Sequence, residues 1–137
     1  MLRLSRDVYL QMVGHCLDGL PLEACGLLAG DPNAADAAWA TVCYPTGNAA
    51  ASARLYTVDP RDHLRADRDA EDRGLEVIGV FHSHTHTDAY PSPTDVRQAF
   101  DPGWHYVIVS LKYDAPVLRS YRIVDETVTE EPVVLFD

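Results

Sequence analysis

Residues 81–95 read FHSHTHTDAYPSPTD. Imidazole and carboxylate groups at this density suit a divalent metal of the zinc type. Side chains at i and i+2 of a strand share a face, so on a strand His82 and His84 project together, roughly 6–7 Å apart along the chain. Ser83 then points the other way and reads as structural. Two ligands do not complete a site, because catalytic zinc usually keeps three protein ligands and a water. The remaining candidates are His86, Asp88 and Asp95. His86 continues the alternation, but Thr87, Asp88 and Pro91 signal that the strand has ended, which makes His86 a solvated loop residue. Asp95 stands in SPTD. There Ser92 as N-cap, Pro93 at the first helical position and Asp95 at the third form an Asp variant of the capping box. That accounts for Asp95 without a metal, yet a capped helix start also presents a carboxylate at a fixed place.

The elements that must carry these residues can be read from pattern. EVIGVFHSH (76–84) is apolar and β-branched and reads as a central strand ending in the two histidines. Ser92 to Phe100 reads as a short helix. Upstream, Leu2 and Leu4 alternate around Arg3 and suggest an edge strand. Ser5 caps a helix running through Leu17, with Val8, Met12, Cys16 and Leu17 on one stripe. GLLAG (26–30) and AWATVCY (38–44) read as strands around a surface loop at 30–38, and residues 54–58 suggest another strand. Pro60 opens a polar helix that Gly74 stops. WHYVIVSLK, VLRSYRIV and VTEEPVVLF read as three final strands. Strand runs mixed with a few helices predict an α+β fold, with a mixed or antiparallel sheet flanked by helices.

The chain has 137 residues, which fits one domain over 1–137. Eleven basic residues stand against 21 acidic ones, a net charge of −10, and the only lysine is Lys112. This balance argues against nucleic acid and against anionic membrane as partners. No apolar run approaches a membrane span, and MLRLSRDVYL lacks the build of a signal peptide. Cys16, Cys25 and Cys43 match no zinc knuckle or redox pair. A reduced, cytoplasmic protein is the expectation. His15, His63 and His105 read as structural. A homodimer through exposed apolar edge strands is left open.

The run His82-Ser83-His84, seven residues, Ser92-Pro93-Thr94-Asp95 resembles the signature of the JAMM (MPN+) zinc metallopeptidases, with its spacing intact. That family also carries a glutamate far upstream before a short apolar run, and PLEACGLLAG places Glu23 in the matching position. Read alone, Glu23 would be a surface carboxylate ahead of a strand. The resemblance implies one Zn2+ per chain on His82, His84 and Asp95, with Glu23 as general base and Ser92 as the hydroxyl that stabilises the oxyanion. It also implies the family's layout, which is like that of cytidine deaminases. Cys25 lies in an E-x-C-G segment whose cysteine the family does not use as nucleophile, so it reads as a buried small residue.

The larger members of the family cut isopeptide bonds after ubiquitin's Gly-Gly and carry insertions for which this chain has no length. LEACGLLAG, FHSHTHTDAYPSPTDV, HYVIVS and LRSYRIVDETVTEEPV resemble compact prokaryotic members of cysteine biosynthesis. These release cysteine from the C-terminal Gly-Gly of a small ubiquitin-like sulfur-carrier protein, and the resemblance implies the same reaction and partner here. Three alternatives remain. One is a peptidase trimming a sulfur-carrier precursor, another an isopeptidase removing a ubiquitin-like modifier, and the third a metal-free MPN scaffold that is not an enzyme.

Overall fold

The computed structural model describes residues 1–33 and 38–137. Of the loop expected over 30–38, residues 34–37 lie outside the described residues. The elements run β1 (Leu2–Ser5), α1 (Arg6–Gly19), β2 (Cys25–Gly30), β3 (Ala38–Thr46), α2 (Pro60–Asp72), β4 (Glu76–His84), α3 (Pro93–Arg97), β5 (His105–Ser110), β6 (Val117–Val124), β7 (Thr127–Glu131) and β8 (Val133–Phe136). The eight strands form one sheet in the order β7-β6-β5-β4-β2-β3-β1-β8. β1 pairs parallel with β3 and β8, as does β4 with β5, and the other neighbours are antiparallel. The fold is therefore α+β with a mixed sheet, as the pattern predicts.

Helix α1 begins where Ser5 Oγ accepts the Val8 N–H at 3.1 Å. Its buried stripe, Val8, Met12 and Cys16, recurs every fourth residue and packs with Leu2, Leu4, Leu28, Phe81, Val107 and Val109 on one face of the sheet. Helix α2 is polar apart from Ala66 and Ala70, the two positions it buries. Asp59 caps it, Pro60 opens it, and Gly74 at φ +73° ends the turn after it. It covers the opposite face, where Leu27, Val80, Tyr106, Ile108, Tyr121 and Ile123 form a second cluster.

Strand β4 lies centrally between β2 and β5 and is buried from Ile78 to His84. Its parity sorts the candidate site residues. Val80 belongs to the α2-side cluster and Phe81 to the α1-side cluster. His82 and His84 therefore continue the α2 face, while Ser83 falls on the α1 face. A Cβ on Gly79 would stand 2.4 Å from the His105 carbonyl oxygen, so only glycine lets β4 and β5 approach this closely.

Four expectations need correction. β1 is not an edge strand: β8 covers it, and Leu2 and Leu4 are fully buried. Residues 54–58 form no strand. They belong to an irregular segment joined by a lone bridge between Asn48 and Val58, because the Asn48 side chain takes up backbone groups there. The helix expected to reach Phe100 stops at Arg97, with Gln98 as its C-cap, and leaves Phe100 86% exposed. VTEEPVVLF is two strands, not one. Pro132 has no N–H to give to a ladder and divides the run. β7 then pairs with β6 and β8 with β1, at opposite ends of the strand order.

One residue joins those two ends, so the sheet curls until its margins meet at Pro132. Leu2 N–H donates to the Pro132 carbonyl at 2.9 Å. Beside it the buried Glu131 accepts hydrogen bonds from His105 Nδ1 at 2.6 Å and Ser120 Oγ at 2.8 Å. The Met1 amino group lies 3.2 Å from its other oxygen.

Candidate active site

The register of β2 on β4 pairs Cys25 with His82. The pairing runs on past the end of β2: Ser83 N–H donates to the Ala24 carbonyl, and Ala24 N–H donates to Ser83 Oγ, each at 2.9 Å. One more step sets Glu23 opposite His84. Ser83 is thus the clamp that holds the Glu23 segment against the histidine strand. Asn48 Nδ2 donates to the Glu23 carbonyl at 3.0 Å, and Glu23 N–H donates to Ser52 O at 2.8 Å, which fixes Glu23 from its other side.

His82 Nε2 and His84 Nε2 lie 3.1 Å apart, and each lies 3.1 Å from Asp95 Oδ2. Three edges of equal length define one point of convergence. Tetrahedral zinc with bonds of about 2.0–2.1 Å separates its ligand atoms by roughly 3.3 Å, so the triangle has the size of a zinc site. Hydrogen bonding alone satisfies it poorly, since an imidazole nitrogen carries at most one hydrogen and can point it at only one partner. His84 Nδ1 donates to the Asp88 carbonyl at 2.8 Å. That bond places the Nε2 lone pair of neutral His84 toward Asp95 and His82, the usual outer support of a metal-binding imidazole. Tyr56 stacks on His82 with ring centroids 4.1 Å apart and planes inclined by 17°.

Helix α3 delivers the carboxylate. Asp95 N–H donates to Ser92 Oγ at 3.0 Å, and Ser92 N–H returns a bond to Asp95 Oδ2 at 2.9 Å, the reciprocal capping box. The loop between β4 and α3 is tied down by Ser110 Oγ on the Thr87 carbonyl at 2.6 Å and by Tyr121 Oη on the Ala89 carbonyl. The cap and a further role for Ser92 do not conflict. Accepting the Asp95 N–H uses an oxygen lone pair and leaves the Ser92 hydroxyl hydrogen to donate elsewhere.

Burial would raise the Asp95 carboxyl, but hydrogen bonds to His82 and His84 and the Ser92 N–H hold it well below the usual range. Burial depresses His82 despite that carboxylate. For His84 burial also pulls downward, but its bonds to Asp95 and Asp88 outweigh it and the net shift is upward. Burial pushes Glu23 up to about 7, with His84 opposing and Asp95 adding to the rise. Glu23 is 6% exposed, and its Oε1 is buried without a hydrogen-bond partner among the described residues. A poised carboxylate of this kind is suited to taking and returning a proton near neutrality.

Glu23, His84 and Ser92 line a common cleft of 360 Å³, and the exposed His86 stands at its wall. A second, apolar cleft of 440 Å³ lies on the Tyr56 side, among Val58, Phe100, Trp104 and Tyr106, and contains none of the three converging side chains. The first holds the candidate residues Glu23, His84 and Ser92. Cys25 is fully buried, and burial pushes its thiol up to about 11, an inert state rather than a nucleophile's. His15 and His105 are structural: His15 Nε2 faces the Cys25 and Thr46 carbonyls, and His105 binds Glu131. The sequence reading missed Tyr56, which it assigned to a strand, and Asn48, whose four-way bonding to an irregular segment leaves no periodic trace.

The family profile described as prokaryotic homologs of the JAB domain matches residues 5–124. A CysO-cysteine peptidase of Mycobacterium tuberculosis is 43% identical over 134 residues, covering 97% of this chain and 90% of that protein. A desampylase of Haloferax volcanii is 36% identical over 114 residues, covering 80% of each. The solution structure of a protein from Desulfitobacterium hafniense superposes with a TM-score of 0.92 at 38% identity, covering 100% of this chain and 94% of that one. With a mixed sheet that brings the H-x-H strand, the S-x-x-D helix start and the upstream glutamate together, the chain belongs to the prokaryotic JAB (JAMM/MPN) domain family.

Proposed function

We propose that the protein is a zinc-dependent peptidase. It hydrolyses the peptide bond after the C-terminal Gly-Gly of a small ubiquitin-like sulfur-carrier protein and releases cysteine. The observation that carries this reading is the triangle of His82, His84 and Asp95 with the buried Glu23 facing it across the β2–β4 register. The likeness to a CysO-cysteine peptidase supports the substrate class.

His82, His84 and Asp95 would hold the zinc, and no fourth protein ligand joins them among the described residues, as suits a catalytic rather than a structural site. A zinc ion held there supplies Lewis acidity and brings the pKa of water down to about 7. Glu23 accepts the proton of the attacking water and passes it to the departing amine. Ser92 offers its hydroxyl hydrogen to the oxygen that develops negative charge at the scissile carbonyl. Ser83 and Asn48 keep the base in register, and the capping box keeps the carboxylate in place.

The likeness to a desampylase keeps a second reading in play, an isopeptidase that removes a ubiquitin-like modifier with the same residues. A trimming peptidase for a carrier precursor would differ only in leaving group. The complete set of five residues counts against a metal-free scaffold. The proposed setting is the cytoplasm. No helix among the described residues is long and apolar enough to cross a membrane. β8, at one end of the strand order, exposes Val134 and Leu135, and a homodimer would form there.

The test is intact-mass analysis of a ubiquitin-like carrier ending Gly-Gly-Cys, incubated with zinc-loaded protein. Loss of one cysteine residue, blocked by a chelator, is the expected result. An unchanged carrier mass overturns the substrate.

A further inference from the structure

The cleft that contains Glu23, His84 and Ser92 carries one arginine, Arg54, the only Lys or Arg in its lining. The chain has a net charge of −10, so a cation beside the buried Glu23 and the proposed ligand His84 is conspicuous. Arg54 is exposed and, like Arg3, Arg61, Arg68, Arg97 and Arg122, has no carboxylate within ion-pair distance among the described residues, so no internal ion pair occupies its guanidinium; what sets it apart is its place in this cleft. Its backbone is not loose. Arg54 N–H donates to Ser52 Oγ at 3.0 Å, and Ser52 O accepts the Glu23 N–H at 2.8 Å. The preceding Ala53 carbonyl accepts Thr85 Oγ1 at 3.1 Å, one residue beyond His84. Arg54 is therefore fastened on one side to the segment of the general base and on the other to the strand of the metal ligands.

Hydrolysis adds water across the Gly–X bond: the hydroxyl joins the glycyl carbonyl carbon, the C–N bond breaks, and the amine leaves with a proton. If X is a single amino acid, its α-carboxylate lies roughly 4 Å from the scissile carbon throughout. It must then fall inside the cleft that holds Glu23 and Ser92. An isopeptide-linked lysine places only methylenes at that distance. A planar guanidinium is the side chain best matched to a carboxylate, which it can bind through two parallel N–H bonds.

We propose that Arg54 is a specificity residue that binds the free α-carboxylate of the departing amino acid and selects one-residue C-terminal extensions over amidated, longer or isopeptide-linked ones. This rests on the reading of the cleft as a peptidase site.

The experiment compares a carrier ending Gly-Gly-Cys as free acid with the same carrier ending in the cysteine carboxamide. Binding of each is measured by fluorescence polarisation to zinc-loaded Glu23→Gln protein, and hydrolysis by the protein with Glu23 intact. The acid is expected to bind and react about tenfold better, the worth of one charge-assisted contact at a solvent-facing site. Adding Arg54→Gln should bring the ratio to within about twofold of unity, and Arg54→Lys should keep part of it. Equal binding of acid and amide, or an unchanged preference in Arg54→Gln, overturns the proposal. If neither carrier is hydrolysed, the peptidase reading fails by itself. An Arg54-dependent preference in binding would still stand, and its absence would remove both.

Discussion

Ser92 and Asp95 bind each other twice, Asp95 N–H to Ser92 Oγ at 3.0 Å and Ser92 N–H to Asp95 Oδ2 at 2.9 Å. The oxygen that closes this box is also the one 3.1 Å from both His82 and His84. A helix cap and a candidate metal-ligand position are therefore one construction, and a change at Ser92 acts on both. Ser92→Ala should cost about 1 kcal/mol in stability through the lost cap and roughly 10²–10³ in rate through the lost hydroxyl. Ser92→Gly separates the two, because glycine at an N-cap costs only a few tenths of a kcal/mol. Denaturant titration and single-turnover hydrolysis of both variants should show stability largely restored in Ser92→Gly and the rate still low. Recovery of the rate in that variant would remove Ser92 from the chemistry.

Glu23→Gln keeps the side chain's size and removes its capacity to take a proton. Hydrolysis is expected to fall by roughly 10²–10⁴, with the zinc content unchanged. Elemental analysis beside the activity assay checks this. Loss of zinc together with activity would make Glu23 a ligand or a support of one rather than the base.

Zinc should stabilise the folded chain, because an unfolded chain does not present His82, His84 and Asp95 within bonding distance of one ion. At about a thousandfold excess over the dissociation constant the gain is roughly 4 kcal/mol. Chemical denaturation with and without zinc should show a higher midpoint that His84→Ala abolishes, and a chelator should stop hydrolysis of the carrier. A zinc-dependent midpoint that persists in His84→Ala would place the ion elsewhere.

Glu131 contributes to stability in a way that acid removes. Burial would raise its carboxyl, but the hydrogen bonds from His105 and Ser120 and the nearby amino terminus bring it from 4.5 down to about 2. A folded-state value below the unfolded one stabilises the fold fully above about pH 4.5. That contribution is lost as pH falls through about 2 and is worth at most about 3 kcal/mol. Unfolding free energies measured from pH 6 to pH 2 should fall less steeply in Glu131→Gln than in the parent. Parallel curves would show that this carboxylate is not the group that titrates.

What the sequence made legible follows from range. β4 ends at His84 as the pattern predicts, because its apolar run is long and its histidines obey the strand period. The spacing from His82 to Asp95 is local, so the side chains that meet there could be named together. Glu23 needed the resemblance. Nothing in CGLL states that β2 pairs with β4 in the register that sets Glu23 against His84. Tyr56 and Asn48 were hidden for a related reason, since their partners are distant and their own segment has no period. VTEEPVVLF shows the limit most clearly. Its apolar alternation says strand on both sides of Pro132 but carries no information on which strand each half will join.

That division at Pro132 also orders the assembly of the molecule. Pairing Val133 with Leu2 closes a loop of nearly the whole chain, whereas β6 and β7 meet across a short turn. Loop-closure entropy makes the first contact the costlier to form, although the cost grows only slowly with length. The seam between β1 and β8 should therefore condense after the β4–β7 half of the sheet and be the first part of it to open. Amide hydrogen exchange would then be fastest along Val133 to Phe136 and slowest along β4, where the histidines stand. The candidate metal site would keep its shape while the far margin of the sheet breathes.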